Sequence, residues 1–243
     1  MIKVQGLGKQ FDGRHAVKDL SFDAPDGAIT GLLGSNGAGK TTTLRMICGV
    51  LTPESGSIAI DDVAAHDSLA RQRRLGALLD HTGIYARLTA RENLLYYGRL
   101  RSMPPETLRQ RVESVVSILG LGPIADRRTA GFSQGERMKT ALGRAILHSP
   151  RNLLLDEPTN GLDVPTIRSL RSLLRRLRDS GVCIVFSSHV LDEVRALCDK
   201  VVVIANGSLA ASGSPGELCA RTDTVSLEDA FVKLTGQPEN LSC

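Results

Sequence analysis

The chain has 243 residues, with 30 Lys plus Arg against 26 Asp plus Glu and a formal net charge of +4. So small a basic excess excludes charge as an argument for nucleic acid, and no nucleic-acid partner is expected. The length supports one α/β domain with an inserted lobe.

Residues 2–4, 21–24 and 57–60 read as an antiparallel edge, and buried strands are expected at 28–33, 152–155, 182–187 and 201–204. Helical patterns alternate with these short β-branched runs, which predicts a mostly parallel sheet. No apolar run nears the roughly 20 residues that span a bilayer. The opening MIKVQGLGKQF lacks the apolar stretch and cleavage site of a signal peptide. A soluble protein is therefore expected, with any membrane role coming through a partner.

Directly after the strand at 28–33, Gly34-Ser35-Asn36-Gly37-Ala38-Gly39-Lys40-Thr41 fits GxxxxGK[ST] without mismatch, and Thr42 follows in a helical pattern over 41–50. Strand, loop and helix in that order are the context this motif requires. Its glycines let the backbone curl so that successive N–H groups face phosphate oxygens at a helix N-terminus. Lys40 is placed to reach the β- and γ-phosphates of ATP, and the Thr41 hydroxyl to ligate Mg²⁺.

From about 82 to 148 there is no convincing strand but several amphipathic helical stretches, so this middle reads as a helical lobe set into the core. Met138, Ala141, Leu142, Ala145 and Ile146 make one apolar stripe, and Ser133-x-x-Glu136 before it is a capping box. Leu153-Leu154-Leu155 then ends in Asp156-Glu157. Beside a P-loop, Asp156 suits Mg²⁺ and Glu157 suits a general base on the attacking water.

Arg168, Arg171, Arg175 and Arg178 line one helical face against Leu170, Leu173, Leu174 and Leu177, a pattern read as the solvated side of an amphipathic helix. The five cysteines stand singly with no CxxC pair, which suits a reducing compartment and argues against disulfides or zinc. His66 and His81 have no partners at metal spacing. Ser226 caps an expected helix at 226–234, with Leu227, Ala230, Phe231 and Leu234 on one face, and 237–243 are expected to fray. The expected division is a main domain over 1–216 and a helical tail over 217–243.

Taken in order, the motifs resemble the ATP-binding subunits of ATP-binding cassette (ABC) transporters over nearly the whole chain. Phe132-Ser133-Gln134-Gly135-Glu136 stands at the family's signature, Asn160-Gly161-Leu162-Asp163 at its D-loop, and His189 at its switch histidine. The resemblance implies a P-loop NTPase core and two cassettes paired head to tail. Each ATP would lie between one P-loop and the other chain's Ser133 and Gly135. It further implies that His189 senses the γ-phosphate, that Asp163 supports the dimer contact, and that Phe11 stacks on adenine. A buried ring at the sheet edge is the alternative for Phe11. One copy of each motif implies two chains, read as a homodimer, on a separate transmembrane permease at the inner face of the membrane.

Two departures from the family pattern stand out. Asp80 occupies the usual place of a Gln at the end of the strand 75–80, where it accepts but cannot donate and could bind Mg²⁺. Gln134 and Glu136 replace a Gly and a Gln, and Glu136 adds negative charge near a phosphate unless it turns away to cap the helix. Asp80, the stretch 85–93 and the tail 226–231 resemble an exporter branch described for sodium, drugs and polysaccharides. The competing readings are a soluble ABC machine and a cassette that binds ATP with little hydrolysis.

Overall fold

The computed structural model describes residues 1–61, 68–79 and 83–236. Strands β1 (Ile2–Phe11), β2 (Arg14–Ala24) and β4 (Ser55–Ile60) form an antiparallel sheet in the order β2-β1-β4. The edge strands are longer than the sequence pattern suggested, because register shifts at Val4/Leu7 and Leu7/Lys9 break the alternation that marks a strand. A second sheet has the order β5-β6-β7-β3-β8-β9, built from β3 (Ile29–Leu33), β5 (Leu75–Leu78), β6 (Asn152–Asp156), β7 (Cys183–Ser188), β8 (Lys200–Ala205) and β9 (Ser208–Gly213). It is parallel from β5 through β8, and β9 closes it antiparallel.

Strand β9 was not expected, since Ser-Leu-Ala-Ala-Ser-Gly has little β-branched character. The signal that finds it is the Asn206-Gly207 pair before it. Both residues take positive φ, 50° and 78°, as a tight hairpin turn demands.

Alternate residues of the buried strands enter different cores. Leu153, Leu155, Ile184, Phe186, Val201 and Val203 pack toward the helices of the lobe and C-terminal half. Leu154, Val185, Val202 and Ile204 pack toward the antiparallel sheet and the first helix, α1 (Lys40–Ile47). Burial on both faces explains why these strands read as continuous apolar runs.

After α2 (Ser68–Arg74), the lobe consists of α3 (Ala90–Leu100), α4 (Pro105–Ile118) and α5 (Gln134–Ile146). Thr89 starts α3 with a full capping box: it accepts from Glu92 N–H, and Glu92 accepts from Thr89 N–H. Helix α6 (Val164–Asp179) buries Leu170, Leu173 and Leu174 while Arg168 and Arg175 face solvent, but Arg171 and Arg178 of the predicted solvated face are half-buried. The short α7 (Leu191–Leu197) follows β7, and α8 (Pro215–Thr222) and α9 (Leu227–Thr235) end the described chain. Ser226 caps α9 by accepting from Asp229 N–H at 3.0 Å. Leu227 and Phe231 are buried in the same core as the strands.

His148, just past α5, lies where the lobe meets the sheet. Its Nε2 is 3.1 Å from both the Leu75 carbonyl oxygen and Arg101 Nη1. Burial, then the positive charges of Arg101 and Arg111, push this imidazole down to about 4 from an ordinary 6.5, against the opposing effect of the Leu75 carbonyl. The folded ring therefore stays neutral where the unfolded one takes a proton, so stability is full above about pH 6.5 and falls as pH drops toward 4. Urea unfolding at about pH 7 and pH 4.5 is expected to show the parent losing on the order of 2 kcal/mol more than His148→Gln. Equal losses would place the acid sensitivity elsewhere.

Candidate functional site

Buried β3 delivers the chain into the glycine-rich loop, and the loop closes so tightly that two glycines are sterically required. A Cβ on Gly34 would lie 2.5 Å from the Ile204 carbonyl oxygen. Gly39 combines φ +105° with a Cβ position 2.4 Å from the Ala16 carbonyl oxygen. Gly39 is also the N-cap of α1 and supplies no side-chain cap, so the first amides of that helix have no side-chain acceptor. They border a cavity of about 150 Å³ lined by residues 36–42 with Ala16 and Glu157. Such a curl of amides at a helix N-terminus is an anion site. Lys40 is only 5% exposed and donates to the carbonyls of Gly34 at 2.8 Å and Ser35 at 3.2 Å. The ammonium is thereby held over the loop.

The acidic pair arrives from the neighbouring strands at the same edge. Register pairs Asp156 of β6 with Ser187 of β7, and β7 pairs with β3. Ser187 uses its one hydroxyl twice: it donates to Asp156 Oδ1 at 2.5 Å and accepts from Glu157 N–H at 2.9 Å. Glu157 stands at φ +44°, a left-handed conformation that is costly for a non-glycine residue and concentrated at functional sites. That bend carries its carboxylate back over the P-loop, with Oε1 at 3.5 Å from Lys40 Nζ. Its Oε2 lies 2.6 Å from His189 Nδ1, an approach too far off line to count as a directed hydrogen bond. Asn160 Nδ2 reaches the same oxygen at 3.4 Å.

His189 sits just past β7, where the neighbouring backbone is pinned. Ser188 Oγ accepts from Val190 N–H at 2.9 Å. Buried Glu193 accepts from the hydroxyls of Ser188 and Thr159, tying the histidine's loop to the one after Glu157. Sequence reasoning missed Ser187 and Glu193, because their roles depend on partners some 30 residues away.

Thr41 and Asp156 offer hydroxyl and carboxylate oxygens, the donor chemistry of a hard cation such as Mg²⁺. Among the described residues no group of three or more His, Cys, Asp or Glu could hold a metal alone. A cation here would thus share the phosphate oxygens of a nucleotide, as Mg²⁺ usually does. Asp80, the remaining metal candidate, lies outside the described residues, as do His66 and His81.

Ser133 begins α5 with the expected capping box. It accepts from Glu136 N–H at 3.3 Å, and Glu136 accepts from Ser133 N–H at 2.8 Å. Both departures from the signature therefore have partners within the chain. Glu136 turns back onto the cap and meets Arg127, while Gln134 donates to the Asn160 carbonyl at 2.9 Å. Gln134 packs over Gly161, whose Cβ would lie 2.4 Å from its amide nitrogen. Gly135 faces Thr166, and Asp163 caps α6 by accepting from Thr166 N–H at 3.1 Å. Among the described residues no hydrogen bond or ion pair joins Ser133, Gly135 or Asp163 directly to the P-loop. Phe11 ends β1 as an exposed residue, 45% accessible, with Lys9 Nζ 5.6 Å from its ring centroid. This sets aside the alternative of a buried ring at the sheet edge.

A family model described as ABC transporter matches residues 17–160, more than half of the chain. The chain belongs to the ABC transporter family, as an ATP-binding subunit. It is 41% identical to the ABC transporter ATP-binding protein NatA of Bacillus subtilis (strain 168), over 88% of this chain and 89% of that protein. It is 37% identical to the sulfate/thiosulfate import ATP-binding protein CysA of Synechococcus elongatus, over 89% of this chain and 63% of that one. A solved ATP-binding subunit of an ABC transporter superposes with a TM-score of 0.88 at 26% identity, covering 96% of this chain and 99% of that one. The fold is that of the ABC ATPases: a P-loop core whose mostly parallel sheet has an antiparallel edge and carries a helical lobe. Among the described residues no helix is long and apolar enough to cross a membrane.

Proposed function

We propose that this subunit hydrolyses ATP at its P-loop and drives a separate membrane-spanning partner, two copies working head to tail. The observation that carries this is the convergence of Lys40, Glu157 and His189 beside the glycine-rich loop. A loop that only bound phosphate would need no carboxylate bent over it at positive φ.

In this reading residues 34–42 cradle the phosphates through backbone amides, and Lys40 swings from its carbonyl partners to the β- and γ-phosphates. Mg²⁺, held by Thr41, Asp156 and the phosphates, would neutralise charge on the transferring group. Glu157 takes the proton of the attacking water, and its left-handed bend aims the carboxylate. His189 contacts the γ-phosphate and the Glu157 carboxylate together, so loss of that phosphate reaches the loop through α7. Phe11 offers its exposed face to adenine. Ser133 and Gly135, at the α5 N-terminus, meet the nucleotide of the second copy, and Asp163 sets the contact between copies. On the family resemblance, Asp80 is a further candidate oxygen donor to the cation.

We place the ATPase domain at 1–216, its lobe at about 82–148 and the tail at 217–243. The subunit lies on the inner face of the membrane, against its permease. Export is the direction we favour, on the resemblance of Asp80, the stretch 85–93 and the tail 226–231 to exporter subunits. A relative named for import at 37% identity makes the cassette a weak guide to direction, so the permease must decide.

The test is copurification. A tagged chain would be expressed in its own cells, and membranes solubilised gently with and without ATP. A stoichiometric multi-span protein is the expected companion. Recovery of soluble proteins alone would favour an ABC machine that serves no transporter.

A further inference from the structure

The acidic residue of the signature segment poses an electrostatic problem. The α5 N-terminus is worth roughly 0.3–1 kcal/mol to an anion, and a formal negative charge beside it opposes that gain. Glu136 is such a charge, anchored there by its bond to Ser133 N–H at 2.8 Å. Arg127 answers it, with Nη2 at 2.6 Å from the same Oε2. The guanidinium is held in place by the Phe132 ring, whose centroid is 4.9 Å from Cζ. The neighbouring Arg137 directs its donors at the carbonyls of Phe132 and Ala130. Arg127 is therefore the cation that meets the Glu136 carboxylate. The Ser133 amide and then Arg127 hold that carboxyl below its usual range, so Glu136 stays charged at neutral pH.

We propose that Arg127 is a positioning residue: it neutralises Glu136 so that Ser133 can engage the terminal phosphate of a nucleotide held by a second copy of this chain. The proposal rests on the head-to-tail reading above. It makes Arg127 and Glu136 a compensating pair, in which losing the arginine alone is harmful and losing both is not.

The experiment uses the full chain carrying Glu157→Gln. It measures by size-exclusion chromatography the ATP concentration that gives half-maximal dimer. Adding Arg127→Gln is expected to raise that concentration about fivefold, the scale of one partly exposed charge-assisted contact. Adding Arg127→Gln and Glu136→Gln together should return it to within about twofold of the parent. Arg127→Lys keeps the charge and should also stay within about twofold. In about 1 M salt the Arg127→Gln effect should fall below about twofold, because screening removes exposed electrostatics. A double variant no better than Arg127→Gln alone, or a defect insensitive to salt, would overturn the proposal and make Arg127 a plain tie between the 122–131 segment and α5. Arg127→Lys and the double variant keep the comparison decisive should Arg127→Gln alone fold poorly, which circular dichroism reports. If the parent does not dimerise with ATP and the native chain releases no phosphate, the head-to-tail reading falls first, before any Arg127 variant is made.

Discussion

Glu157→Gln is expected to lower kcat for ATP at least about 100-fold while leaving ATP binding intact. The amide keeps the size and shape of the carboxylate and still accepts a hydrogen bond, but it cannot take a proton from water at neutral pH. The surroundings also favour retention of nucleotide. Lys40 lies 3.5 Å from Glu157 Oε1 and loses a competing anion, so its charge is freer for the phosphates. The variant should therefore accumulate as an ATP-bound dimer, visible as an earlier elution with ATP than with ADP. Phosphate release in a single turnover reads the chemistry directly. Near-native turnover with no dimer would remove Glu157 from the role of base and leave His189, whose Nδ1 lies 2.6 Å from Glu157 Oε2, as the next candidate.

The second large effect is expected at Gly39. Gly39→Ala places a methyl 2.4 Å from the Ala16 carbonyl oxygen and 3.3 Å from a Val17 methyl, at a φ of +105° that alanine rarely adopts. The backbone penalty and the clash together should cost about 3 kcal/mol of stability. The loop must open to relieve the clash, which spreads the amides and should weaken ATP binding at least about tenfold. Gly37→Ala is the internal control. Its φ is also positive, at +80°, but no heavy atom lies within 4 Å of the added methyl. Only the backbone penalty of about 1 kcal/mol should remain there. Thermal unfolding of the two variants separates the effects, and similar losses in both would mean that contact with Ala16 is not what constrains the loop.

What could be read in advance follows from how local each feature is. The P-loop was legible because eight consecutive residues supply both the turn chemistry and the donors, with a strand before and a helix after. The capping box of α5 and the apolar face of α9 are likewise matters of three to seven residues. Strand β9 escaped because small residues carry no alternating pattern, and its evidence lies in pairing with Val201–Ala205 across an Asn-Gly turn. The full length of β1 and β2 escaped because bulges interrupt their period.

The site shows the same division more sharply. The residue types at Lys40, Asp156 and Glu157 beside a P-loop suggested phosphate, cation and water chemistry, whereas His189 was read only through the family resemblance. Nothing in the chain order says that Ser187 holds Asp156 and Glu157 together, that Glu193 ties the histidine loop to Thr159, or that Arg127 meets Glu136. Nor does it say that Glu157 must bend to φ +44°.

The sequence by itself determined which backbone could curl, which runs would be buried and which side chains could do acid–base or phosphate chemistry, because those depend on a residue and its near neighbours. The tertiary structure alone decided which of them touch. Strand register and helix packing set the distances between residues far apart in the chain, and electrostatic and hydrogen-bonding energies depend on those distances.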